Sequence, residues 1–217
     1  MYIVEGTIGA GKSTFLKLAQ NHMPSLHVCQ EPLHAWEHAE HDQSLLALFY
    51  QDPYRWGYTL ETVTMLSRVR DHLRQQTIAH EYALMERSIY SGYYCFAKNG
   101  YLQGSLSSLE WEMYSAWFTT LVQRSGMVPQ GFIYLKVSPQ VAFERMIKRN
   151  RSAENSMSRA YLEQLDERHT EFLLQKKDLL PELAKVPVLV LDCDKDFEED
   201  ETHLRQLLEA LRLFVKN

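Results

Sequence analysis

The sequence predicts an α/β fold, a five-stranded parallel sheet flanked by helices. Three observations predict it. Short, continuously apolar runs alternate with longer stretches of helical spacing along the whole chain. The runs lack the period-two alternation of half-exposed strands, so both faces of each should be covered. A glycine loop follows the first run and leads directly into a helical stretch.

The first strand, 2–4, is short because the loop begins at Gly6. A helix is expected over 13–22, closed by Pro24, then a strand over 26–29. Helices over 45–50 and 58–75 lead to a third strand, 82–85, and a helix over 90–98. The stretch 99–108, rich in Gly, Ser and Asn, reads as a surface loop. A helix over 109–124 has Ser107 and Ser108 as candidate caps. After the fourth strand, 132–137, Ser138-Pro139 combines a cap with a proline at the first helical position, and this helix should run to about Arg149. A helix over 158–176, a strand over 186–191 and a helix over 202–214 complete the series. The acidic run 198–201 suits the N-terminus of the last helix and otherwise reads as solvated surface.

Composition bounds the function. The chain has 217 residues, 45% of them apolar, which fits one domain over 1–217. With 23 Lys+Arg against 28 Asp+Glu, the net charge is −5, so nucleic acid and anionic membrane surfaces are not expected as partners. No apolar run approaches the roughly 18 residues of a membrane span. Cys29, Cys95 and Cys193 are odd in number and far apart, a poor disulfide framework and a poor metal set. With no basic leader ahead of the loop, a reducing, cytoplasmic location is expected.

Gly6-Thr7-Ile8-Gly9-Ala10-Gly11-Lys12-Ser13-Thr14 satisfies G-x4-G-K-[ST] between a strand and a helix. The glycines let successive N–H groups face a phosphate, Lys12 can reach the terminal phosphates, and the Ser13 hydroxyl can ligate Mg²⁺. This loop implies a nucleoside triphosphate; switches, motors and small-molecule kinases share it. Glu31 follows the second strand and Glu86-Arg87 the third, so in a parallel sheet they converge on the loop's edge. Two acids and a cation there suggest one carboxylate for the metal, one for a proton, and an arginine beside the reacting oxygen. Arg145-Met146-Ile147-Lys148-Arg149-Asn150-Arg151 holds four cations in seven residues, with Arg145 and Arg149 on one helix face. It reads as an arginine-rich lid, about 145–157, over the triphosphate. An acceptor phosphate is already ionised at neutral pH, whereas a neutral hydroxyl gains from a carboxylate, so Glu31 favours a hydroxyl acceptor.

Glu31-Pro32-Leu33-His34-Ala35-Trp36, Glu86-Arg87-Ser88-Ile89-Tyr90-Ser91, Tyr50-Gln51-Asp52-Pro53-Tyr54-Arg55-Trp56 and Arg151-Ser152-Ala153-Glu154 together resemble the deoxyribonucleoside kinase family over nearly the whole chain. The resemblance implies ATP-dependent phosphorylation of a deoxynucleoside 5′-hydroxyl, with Glu31 as base, Arg87 steadying the developing charge and Lys12 on the phosphates. It implies Ser13 and Glu86 for Mg²⁺, and Arg145, Arg149 and Arg151 as a clamp on the donor phosphates. Asp196 and Phe197 would lie near the adenine. Tyr50 and Glu154 would hold the sugar 3′-hydroxyl, Ile8 would line the sugar side, and Trp36 and Phe96 would wall the base. It also implies a homodimer packed through helices; the stripe Trp111, Tyr114, Phe118 could serve that, or be plain core. A thymidylate-type nucleotide kinase and a non-catalytic nucleotide-binding regulator are the alternatives.

Two positions depart from the family pattern. Glu61 stands where the family has a glutamine reading the base edge, and Gly92 where the deoxycytidine and deoxyguanosine branch has an aspartate. Arg68, seven residues after Glu61, matches that branch's arginine and is expected to pair with Glu61. An ionised Glu61 only accepts hydrogen bonds, which suits the adjacent N1–H and N2–H₂ of guanine, with Arg68 on O6. Deoxyguanosine is therefore the expected preference, with pyrimidines weaker or alternative. His34, His38 and His41 imitate a zinc spacing, but kinase chemistry needs only Mg²⁺. Cys95 and Cys193 read as buried thiols.

Overall fold

Tyr2 and Val4 face one side of the sheet and Ile3 the other, and this alternation divides the core into two layers. The computed structural model describes residues 1–31, 44–78, 82–126, 128–151, 154 and 157–216. In chain order the elements are β1 (Tyr2–Glu5), α1 (Lys12–His22), β2 (Leu26–Cys29), α2 (Leu45–Gln51), α3 (Pro53–Gln76) and β3 (Tyr82–Glu86). The short α4 (Ile89–Ser91) then widens into a π-helical segment (Gly92–Ala97) that continues as α5 (Lys98–Leu102). After it come α6 (Ser108–Ser125), β4 (Gly131–Lys136), α7 (Pro139–Arg149), α8 (Arg159–His169) with a π-helical extension (Thr170–Leu174), α9 (Pro181–Ala184), β5 (Val188–Asp192) and α10 (Glu201–Lys216).

The five strands pair in the order β2-β3-β1-β4-β5, all parallel, as the continuous apolar runs require. On one face Tyr2, Val4, Ile133 and Leu135 pack with Phe15 and Leu16 of α1, Ala142 of α7 and Leu211 of α10. On the other, Ile3, Phe132 and Tyr134 meet Met65 of α3, Tyr114 and Phe118 of α6, and Phe172. Because β1 leads away toward one edge of the sheet and β4 toward the other, a crevice is left over their carboxyl ends.

Several boundaries differ from the sequence reading, each for a local reason. The strands β1 and β3 extend by one residue to take in Glu5 and Glu86, which apolarity alone would exclude; Glu86 sits in register with Val4. The helix expected over 58–75 starts at Pro53, because the Asp52 side chain accepts from the Arg55 N–H at 3.1 Å and Pro53 fills the first turn. Residues 98–102, expected mostly in a loop, are helical as far as the turn at Gly104 (φ 81°). The last strand starts at Val188, since Pro187 interrupts the run that began at 186. The caps at Ser107 and Ser138 form as expected, Ser107 in a reciprocal capping box with Glu110. Tyr114 and Phe118 are buried in the core; the exposed row on α6 is instead Leu109, Met113 and Trp117. Cys95 and Cys193 are buried, as expected. No helix among the described residues is long and apolar enough to cross a membrane.

The two-layer core makes a direct demand. Phe132→Ala should lower the unfolding free energy by about 3–5 kcal/mol in urea titration, whereas Met113→Ala on the exposed row should stay within about 0.5 kcal/mol of the parent.

Candidate active site

The glycine loop leaves β1 and turns into α1 through left-handed backbone. At Gly9 (φ 82°) a Cβ would fall 2.2 Å from the Ala142 carbonyl oxygen, so α7 closes against the loop only if that residue is glycine. Gly11 (φ 86°) caps α1 without a side-chain hydrogen bond, which leaves the first N–H groups of the helix open to an anion. Lys12 is buried and donates from Nζ to the Gly6 and Thr7 carbonyls at 3.0 and 2.8 Å. Burial, and then the Arg87 charge, push the Lys12 ammonium down to about 7, so a phosphate here would supply the counter-charge it lacks. Gly9, Gly11, Thr14, Arg145, Arg149 and Phe197 line a cavity of about 520 Å³ in front of the loop, with Asp196 at its side. Ala10 is core, and Ile8 turns toward a second cavity.

That second cavity, about 90 Å³, lies above the strand ends. Glu31 lines it between two arginines: Arg68 Nη2 stands 2.6 Å from one carboxylate oxygen and Arg87 Nε 3.2 Å from the other. Burial raises the Glu31 pKa, but Arg68, Arg87 and Lys12 together outweigh it, and the carboxyl is held below the ordinary carboxylate range. Glu31 is therefore ionised throughout the neutral range. Arg87 adopts a left-handed conformation (φ 60°), which costs a non-glycine residue roughly 1–2 kcal/mol. Its N–H donates to the Val4 carbonyl at 3.0 Å, and its guanidinium lies 4.7 Å over the Phe96 ring.

Ser13 Oγ donates to both Glu86 oxygens, at 2.8 and 3.1 Å, beside the loop lysine. A hydroxyl and a carboxylate in contact form an oxygen-only donor pair, which fits a hard cation that completes its shell with phosphates and water. Among the described residues no cluster of three or more His, Cys, Asp or Glu could hold a metal by itself.

The basic segment divides its work. Arg149 grips both oxygens of Glu154 at 2.8 and 2.7 Å, with Arg151 3.7 Å away, and all three face the Glu31 cavity together with Tyr50. Burial, then neighbouring Tyr161 and Glu154, keep the Tyr50 phenol protonated. Arg145, expected on the donor phosphates, lines the cavity in front of the loop and donates to the Cys193, Asp194 and Lys195 carbonyls. It thereby shapes the loop that carries Asp196 and Phe197.

Glu61 borders both the Glu31 cavity and a third of about 300 Å³, which runs outward past Phe96 and Tyr161. The expected Glu61–Arg68 ion pair does not form: Arg68 is turned to Glu31, and Glu61 Oε2 is buried with no hydrogen-bond partner among the described residues. Arg68 takes the carboxyl that is held ionised, Glu31, in preference to the one that burial raises, Glu61. A Cβ on Gly92 would fall 2.9 Å from Arg68 Nη1, so the guanidinium occupies room that an aspartate there would need. Burial raises the Glu61 carboxyl to about 7 despite Arg68 and Arg87 nearby. Trp36, His34, His38 and His41 lie outside the described residues. Tyr161 and Phe49, which border both cavities, were not among the sequence candidates. Tyr161 stands at the third position of α8, and only the packing of that helix brings it to the site.

Residues 2–216 match the family model described as deoxynucleoside kinase. The chain is 32% identical to deoxycytidine kinase 2 of Gallus gallus, over 98% of this chain and 89% of that one. It is 33% identical to the mitochondrial deoxyguanosine kinase of Xenopus laevis, over 98% and 88%. With the human mitochondrial thymidine kinase 2 the identity is 33%, over 99% and 74%.

Glu61 keeps its proton to a higher pH in the folded chain than when unfolded, so between its ordinary value and about 7 the folded state binds more protons and stability falls as pH rises. Glu61→Gln should therefore raise the unfolding free energy near pH 8, by on the order of 2–3 kcal/mol, and change it much less near pH 5. Chemical denaturation at the two pH values checks this.

Proposed function

The chain belongs to the deoxynucleoside kinase family, and from this premise we propose that it transfers the γ-phosphoryl group of ATP to the 5′-hydroxyl of a deoxynucleoside, giving the monophosphate. The observation that carries this reading is the buried, ionised Glu31 set between two arginines on the cavity next to the phosphate loop. A hydroxyl has a proton to lose; an acceptor phosphate has none, and a nucleotide kinase would have no use for this carboxylate.

In the reading we favour, the glycine loop and Lys12 hold the β and γ phosphates and Arg149 and Arg151 approach from the lid side. Arg145, Asp196 and Phe197 shape the far wall for the adenine. The nucleoside lies with its sugar against Ile8, its 3′-hydroxyl between Tyr50 and Glu154, and its base against Phe96. The 5′-oxygen attacks the γ-phosphorus as the bond to the β-phosphate oxygen breaks, and its proton passes to Glu31. The two arginines make Glu31 a weak base but a fixed one, which suits a loose transition state in which positioning and charge dominate. Arg87, against the same carboxylate, also faces the charge that develops on the transferred group. Ser13 and Glu86 would hold Mg²⁺, whose charge would neutralise the triphosphate oxygens.

For the base we propose deoxyguanosine as the preferred partner of the ionised Glu61, with pyrimidines weaker. For assembly we propose a homodimer, on the exposed apolar row Leu109, Met113 and Trp117 of α6.

Three measurements follow. With ATP and Mg²⁺, each deoxynucleoside tested singly should yield a 5′-monophosphate, and deoxynucleoside monophosphates should yield no diphosphate; the reverse pattern would make this a nucleotide kinase. Glu86→Gln should raise the Mg²⁺ concentration needed for half-maximal rate at least about tenfold, one carboxylate contact being worth over 1 kcal/mol. Trp117→Glu should leave a monomer by light scattering if α6 forms the dimer face.

A further inference from the structure

Among the described residues Glu61 has no ion-pair partner, unlike Glu31 and Glu154, and it stands between the two inner cavities of the site. The residue is 6% exposed, borders both inner cavities, and has a carboxyl oxygen with no hydrogen-bond partner among the described residues. Resting on the kinase reading above, we propose that Glu61 is a specificity-determining residue that reads the base in two protonation states. As a carboxylate it accepts two hydrogen bonds and selects guanine; as a carboxylic acid it donates one and accepts one, and selects cytosine or adenine.

The chemistry follows from the edges. Guanine presents two adjacent donors, N1–H and N2–H₂, which a carboxylate can accept together. Cytosine presents N3, an acceptor, beside its N4–H₂ donor, and adenine presents N1 beside N6–H₂ in the same sense. A carboxylate faces that acceptor with a lone pair. A protonated carboxyl meets it with O–H and accepts the amino hydrogen on its carbonyl oxygen, the pattern a glutamine amide offers. One side chain can thus serve two edges, and the proton decides which.

The surroundings leave the proton in play. From its own helix Glu61 faces Arg68; from the ends of β2 and β3 it faces Glu31 and Arg87; from α6 Tyr114 and from α8 Tyr161. Burial and Glu31 favour the protonated form, Arg68 and Arg87 the ionised one, and the balance brings the carboxyl to about 7. Arg68 would press Glu61 further toward the carboxylate if it paired with it, but its Nη2 is 2.6 Å from Glu31. The tyrosines stay neutral, their phenols raised by burial.

The test is the ratio of kcat/KM for deoxyguanosine to that for deoxycytidine, followed from about pH 6 to pH 8. Ionisations shared by both reactions, those of Glu31, Lys12 and ATP included, cancel in this ratio, and neither base titrates in the range. The ratio should rise with pH by about 10- to 100-fold, the span expected when one buried hydrogen bond is exchanged for an unpaired group. In Glu61→Gln it should be flat and shifted toward deoxycytidine. A wild-type ratio constant within about twofold, with both nucleosides phosphorylated, overturns the proposal and leaves the kinase reading standing. Absence of phosphorylation of every deoxynucleoside overturns the kinase reading itself. Because the ratio is read on the unmodified protein, the outcome does not depend on how the variant folds.

Discussion

One buried negative charge organises this site. Glu31 sits at the end of β2 with its side chain 7% exposed, and a carboxylate so far from water is tolerated only if cations meet both of its oxygens. Arg68 reaches it from α3 and Arg87 from the end of β3, so the pair ties a helix and two strands to one point. The strained backbone at Arg87 follows from this demand. Its side chain must turn back over the sheet edge toward Glu31, and the hydrogen bond to Val4 and the stacking on Phe96 hold it there. The same charge reaches Lys12, for which the Glu31 and Glu86 carboxylates partly offset burial and the Arg87 charge.

The second consequence falls on Glu61. Arg68 makes its short contact with Glu31 and not with Glu61, the two glutamates that the sheet and its own helix bring near, and Gly92 places no acid beside its Nη1. Arg68 therefore completes the Glu31 clamp, and Glu61 is left to carry its proton into the neutral range. Burial raises the pKa of Glu5 as well, which is fully buried and accepts the Ser88 hydroxyl at 2.6 Å. Glu31, touched by two arginines, is held below the ordinary carboxylate range while Glu61, touched by none, is raised to about 7, so the division of labour between base and base-edge reader follows which of the two acids Arg68 and Arg87 touch.

Much of this was legible in the residues. The glycine loop, the parallel sheet and the convergence of Glu31, Glu86 and Arg87 follow from apolar runs that end in charged residues, since parallel strands place their carboxyl ends together. Ser138-Pro139 announced α7, and Asn150 ends it in a left-handed turn. The partners were less legible. Spacing along α3 puts Arg68 and Glu61 on one face, yet the arginine is long enough to choose, and its choice of Glu31 depends on an approach between helix and strand that no local pattern encodes. Arg145 shows the same limit, since nothing in its basic segment points to the three carbonyls of a loop far along the chain to which it donates. Tyr161 enters the site only because α8 packs against α7 and the π-helical segment Gly92–Ala97.

The central claim, that the Glu31 charge clamp is both the structural keystone and the chemical base, is tested most directly by a double-substitution cycle of Glu31→Gln and Arg68→Met, read in unfolding free energy and in nucleoside phosphorylation. Glu31→Gln alone takes the close carboxylate from two buried guanidinium groups and should cost about 3–5 kcal/mol. The double variant should regain a large part of that stability and none of the turnover. Additive stability losses, or phosphorylation that returns along with stability, would contradict the account.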